Sequence, residues 1–190
     1  MFSKDHRLLG NMLAEQMIKR DSSLATRLFV TGCVFPDHNP WTYIKGTCKG
    51  HPLKSHFIFS TRFKIESLLN KLENKSTLRI KDYYILGELV HYTADAFTFS
   101  HNDHYIGNML KHAEYEHIHL HEAFEENCCD EIDKNLCLEK DSRPLETIFT
   151  ELHQSYLEED MEPMIDVKYI CQICTTVCAR ILEKEEVAYA

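Results

Sequence analysis

The scarcity of chain breakers constrains this sequence more than any other feature: only six glycines and five prolines stand in 190 residues. More than half of them fall between Gly32 and Pro52, so the rest of the chain has little to interrupt a helix. Apolar residues recur at three- and four-residue spacing, in Leu8, Leu9, Met12, Leu13 and Met17 and again in Leu24, Leu28, Phe29 and Cys33, which is the period of an amphipathic helix. Further helices are expected from about 61 to 74, 81 to 99, 107 to 126, 144 to 159 and 163 to 185, with Ser142 placed to cap the helix that Pro144 opens. The expectation is an all-α fold of seven helices, a single compact bundle over residues 1–190. Residues from about Val34 to Ile58 read as one long irregular segment, a kind that tends to carry function in compact domains.

Hydrophobic residues at 44% and charged residues at 27% suit a chain that folds around its own core. The net charge of −9 argues against binding duplex nucleic acid, which needs a basic surface. It does not exclude a small phosphate ester, because divalent cations held among carboxylates attract phosphate locally. The first twenty residues carry charges every few positions and have no uninterrupted apolar run, so no secretory signal and no transmembrane segment is expected there. That reading makes the chain cytoplasmic and its eight cysteines reduced thiols.

Twelve histidines are present, five of them between His104 and His121. Spacing is more informative than number. His91 and Asp95 lie four apart on one expected helix, so both side chains project from one face. His101 follows where that helix should end and can turn back towards the same face. The pattern His-x3-Asp-x5-His should arise by chance roughly 0.04 times in such a chain, whereas His-x3-Asp/Glu alone should arise about twice. On the next helix His117, His121 and Glu125 form a stripe at four-residue spacing, with His121 and Glu125 one turn apart. Two helices bearing such ligands are expected to face each other across a multinuclear metal site. Zinc suits it better than calcium or magnesium because imidazoles dominate.

Several segments carry a family resemblance. Leu86-Gly87-Glu88-Leu89-Val90-His91-Tyr92-Thr93-Ala94-Asp95, continuing to His101, resembles the LGxxLHYxxD-x5-H signature of the bacterial zinc-dependent phospholipase C family, which is related to the secreted single-strand-specific zinc nucleases. His121-Glu122-Ala123-Phe124-Glu125 resembles that family's HxxYE segment, with Phe for Tyr. Gly32-Cys33-Val34-Phe35-Pro36-Asp37, Ser55-His56-Phe57 and Asp5-His6 resemble its other ligand segments, in family order. The resemblance implies an all-α bundle in which one zinc uses Asp37, His56, His91 and Asp95, a second His101, His121 and Glu125, and a third His6 with Asp95 as bridge. It also implies a phosphodiester hydrolase, acting on a phospholipid or another small phosphate ester, with Asp37 orienting or deprotonating a metal-activated water.

The chain departs from the family at points. Family members also use the amine and carbonyl of their mature N-terminal residue as ligands well upstream of the first histidine, whereas five residues precede His6 here. Phe97-Thr98-Phe99-Ser100 stands where the family has a proline before His101, and His51 competes with His56 for one ligand role. The alternative function is a zinc-binding or sensing helical protein that keeps the ligands without turnover. Cys171, Cys174 and Cys178 lie on an apolar helix face and read as core residues rather than metal ligands. His112, His119 and His153 read as solvated or satisfied, His38 and His104 as partners that could orient ligands. Trp41 and Tyr43 are loop aromatics that either anchor the loop or wall a cleft.

Overall fold

The computed structural model describes residues 1–18, 23–38, 58–102, 109–138, 141–160 and 162–188. The elements are α1 (Ser3–Met17), α2 (Ser23–His38), α3 (Ile58–Glu73), α4 (Ile80–Ala96), α5 (Met109–Glu114), α6 (His121–Leu136), α7 (Leu145–Glu158) and α8 (Pro163–Ala188). A π-helical stretch, Tyr115–Leu120, joins α5 to α6, so the chain is helical from Met109 to Leu136. No strand occurs among the described residues. The all-α expectation is therefore met. None of the described helices is long and apolar enough to cross a membrane.

The buried cluster is built around α4, which packs on α1, α2, α3 and α8. From Leu86 to Ala96 nearly every α4 residue is buried, as a helix enclosed on all sides requires. The helix opens where the Asp82 carboxylate accepts the Arg79 backbone N–H at 2.8 Å, satisfying a first-turn donor. It meets α2 through facing glycines. A Cβ on Gly87 would lie 2.1 Å from the Phe29 carbonyl oxygen, and one on Gly32 would lie 2.2 Å from that of Tyr84. Only hydrogens fit there, and the two backbones touch.

Several boundaries differ from the sequence reading. The irregular segment expected from Val34 does not begin there, because α2 continues through His38 with Pro36 inside its last turn. Helix α4 stops at Ala96 rather than Phe99, where the Thr98 hydroxyl donates to the Ala94 carbonyl at 3.0 Å and a 3-10 turn, Phe99–His101, takes over. The helix expected to end near Glu126 runs ten residues further. Ser142 does not cap α7, whose first turn is closed instead by the Pro144 carbonyl accepting from Thr147 and Ile148. Cys171, Cys174 and Cys178 are buried beside Cys33 and Cys128 in the core. His153 is satisfied by donating to the Ala96 carbonyl at 3.1 Å.

Candidate metal centre

His91 lies one turn beyond Gly87, so the close crossing of α2 and α4 brings its ring against the α2 backbone. Its Nδ1 stands 2.9 Å from the Cys33 carbonyl. A carbonyl only accepts, so Nδ1 carries a proton and Nε2 is the ring nitrogen turned inward, towards the carboxylates. That nitrogen lies 3.3 Å from Asp95 Oδ2 and 3.6 Å from Asp37 Oδ1. A backbone carbonyl that fixes the tautomer in this way is the usual outer support of a metal-ligating histidine.

Asp95 is the hinge of the cluster. Its Oδ1 lies 3.1 Å from His6 Nε2 and 3.0 Å from the Met1 ammonium, and its Oδ2 faces His91 and, at 3.8 Å, His101 Nδ1. The His6 and His91 rings stack at 3.9 Å. His6, His91 and Asp95 are all buried, and each offers a ligand atom within 4.8 Å of the others. A second group, His101, His112 and Glu116, meets the same criterion. Glu116 Oε1 receives His101 Nε2 at 2.7 Å, the Ser100 hydroxyl at 2.8 Å, the Met1 ammonium at 2.9 Å and His112 Nε2 at 3.1 Å.

The electrostatics follow from this crowding. Burial pushes the Asp95 carboxyl up, but the Met1 ammonium and the His101, His91 and His6 rings outweigh it and hold the group well below the usual carboxylate range. Glu116 is likewise held well below its ordinary value, with burial opposed by the Met1 ammonium and His101. Burial lowers His101 and the ammonium lowers it further. Burial also opposes the charge on the Met1 amine, yet Asp95 and Glu116 raise its pKa to about 11. Two ionised carboxylates in a dry interior cost several kcal/mol each unless positive charge lies beside them.

The donor set fits zinc. Imidazoles and carboxylates in groups of three leave further coordination positions open, as hydrolytic zinc requires. His6 Nδ1 and Asp5 Oδ2 are buried atoms without a hydrogen-bond partner among the described residues, so the described residues alone leave hydrogen-bonding capacity open around the first group.

The expected residues distribute unevenly. His6, Asp37, His91, Asp95 and His101 converge, with Asp37 in the last turn of α2 at the edge and its Oδ2 accepting from the Ser3 hydroxyl at 2.7 Å. His6, assigned by resemblance to a separate metal, lies in one group with His91. His121 and Glu125 are not brought to His101. His121 Nδ1 lies 2.6 Å from Asp5 Oδ1, and its Nε2 lies 3.3 Å from Glu125, which is 62% exposed. His56 lies outside the described residues, as do His51, His104, Trp41 and Tyr43.

Sequence reading missed Glu116, His112 and the place of the Met1 amine. A signal for the first two exists, since His112-x3-Glu116 repeats the spacing of His91 and Asp95. Met1 arrives because the Asp5 and His6 backbone N–H groups both donate to the Phe2 carbonyl, winding α1 tightly from its first residues.

Together the helical fold and two adjoining histidine–carboxylate groups have the ligand chemistry that suits hydrolytic zinc. The chain belongs to the zinc-dependent phospholipase C family, which it matches over residues 5–162. No curated protein and no solved structure matches it.

Proposed function

We propose that this chain is a zinc-dependent phosphodiester hydrolase whose substrate is a phospholipid or a smaller phosphate diester. The observation that carries the reading is the position of Asp95, whose two oxygens face His6, His91 and His101 while Glu116 and His112 adjoin His101. One zinc would be held by His6, His91 and Asp95 and a second by His101, His112 and Glu116. Bound there, zinc supplies a water of lowered pKa and a clamp on the phosphoryl oxygens.

The chain's own contributions are orientation and proton transfer. The Cys33 carbonyl fixes the His91 tautomer, and the Ser3 hydroxyl holds one Asp37 oxygen while the other points towards His91. Asp37 is 15% exposed, whereas the Asp95 side chain is at 1%. Asp37 is thus the carboxylate placed to take a proton from a water arriving at the centre. His56 remains a further ligand implied by resemblance.

Protein purified without chelator should contain about two zinc ions and cleave bis(p-nitrophenyl) phosphate or phosphatidylcholine in a chelator-sensitive reaction. Asp37→Asn should lower kcat by roughly 10²- to 10⁴-fold. Zinc-loaded protein inert towards every diester tried would overturn the proposal in favour of a zinc-binding role without turnover.

A further inference from the structure

Asp166 stands in the first turn of α8, beyond the segment that matches the family, and is 1% exposed. Its Oδ2 accepts the backbone N–H of Phe99 at 2.8 Å and the hydroxyl of Tyr115 at 2.9 Å, while Oδ1 accepts the Tyr156 hydroxyl at 2.7 Å. The two donors on Oδ2 belong to different elements. Phe99 opens the 3-10 turn whose third residue is His101, and Tyr115 opens the π-helical stretch and immediately precedes Glu116. Their rings also meet edge to face at 5.5 Å. One buried oxygen therefore ties together the two backbone segments that bring His101 Nε2 to within 2.7 Å of Glu116.

We infer that Asp166 is a positioning residue for the His101, His112 and Glu116 group, setting the separation of its ligands through Phe99 and Tyr115. The inference rests on reading that group as a zinc site. The 3-10 turn is three residues long and fixes little by itself. The first N–H of such a turn has no acceptor within the turn, so an outside carboxylate sets its direction. The π-helical stretch has a rarer geometry than an α-helix, and the Tyr115 hydroxyl anchors its beginning on Asp166. A purely structural carboxylate would stabilise the bundle without distinguishing one metal group from the other.

The experiment measures zinc affinity by competition with a chromophoric chelator and the visible absorption of the cobalt-substituted full chain, in wild type and Asp166→Asn. The expected variant keeps one zinc at wild-type affinity, binds the other about 10- to 100-fold more weakly, and shows an altered spectrum for the weakened site. Tyr115→Phe should weaken the same site by a smaller factor, and Tyr156→Phe, which touches the other oxygen, should leave both sites unchanged.

Folded Asp166→Asn with both affinities intact, or with both weakened equally, overturns the role of Asp166. If that variant does not fold, Tyr115→Phe decides: selective weakening supports the role and unchanged affinities overturn it. A wild-type chain with no second zinc removes the parent reading and this one together. Two tight wild-type sites insensitive to the variants remove only the part assigned to Asp166.

Discussion

Glu116 accepts four donors on one carboxylate oxygen, whereas Glu125, nine residues on, stands 62% exposed. Both follow a histidine at the same spacing, so pattern alone cannot rank them. α-Helical period cannot either, because the π-helical stretch Tyr115–Leu120 lies between the two pairs and breaks the 100° register. The choice belongs to packing, since Ser100 and His101 in the turn after α4 meet Glu116 while Asp5 on α1 meets His121. His91, Asp95 and His101 were legible because all three lie within one short segment. His112 was not, because its partner His101 comes from another element. Glu116→Gln should therefore lower bound zinc from about two ions to one per chain by elemental analysis, whereas Glu125→Gln should leave it at two. Loss of zinc on the Glu125 change alone would return the second site to the His121 helix face.

Helix α4 positions His91 only because α2 lies against it with no side chain between Gly32 and Gly87. The periodicity of α2 and α4 shows that both are helices, yet it cannot show which faces meet. Two glycines on separate helices become one crossing only in three dimensions. The ending of α2 was hidden for a related reason. Pro36 and its neighbours read as irregular, yet Asp37 is held inside the final turn, where the Ser3 hydroxyl from α1 meets its side chain. At Gly87 an added methyl would stand 2.1 Å from the Phe29 carbonyl oxygen and 2.8 Å from the Cys33 backbone nitrogen, so α2 itself would have to move. Gly87→Ala should cost about 3 kcal/mol or more, at the upper end of overpacking effects, read as a lower denaturation midpoint. It should also weaken zinc binding by shifting His91 from the Cys33 carbonyl. Gly10→Ala is the comparison. Its methyl would meet the Cys33 Sγ at 3.0 Å and Cβ at 3.2 Å, contacts that a shift of a few tenths of an ångström relieves, and the loss should be smaller, about 1 to 2 kcal/mol.

Across the whole molecule, the metal centre and the hydrophobic core are continuous. Asp95 and His91 sit on the most enclosed helix, between buried Val90 and Ala96, and α1, α2 and the helical run from Met109 to Leu136 all deliver polar groups to the same place. Without a cation, the carboxylates there rely on the Met1 ammonium and on imidazoles that must themselves be desolvated. Zinc should thus bind the folded chain far better than the unfolded one, and its removal should lower stability by mass action. At a free zinc concentration about a thousand times the dissociation constant the linked stabilisation is about 4 kcal/mol. In a chain of this size that corresponds to a melting temperature about 8 to 16 °C higher. Calorimetry with excess chelator against added zinc should show that difference. The sign with pH follows from the ligands, because imidazoles bind zinc only when neutral. The gap between the two melting curves should be widest above the imidazole range and narrow as pH falls through it. Identical melting temperatures with chelator and with zinc at neutral pH would show that the bundle holds its buried carboxylates without a metal, contrary to the electrostatic argument from Asp95 and Glu116.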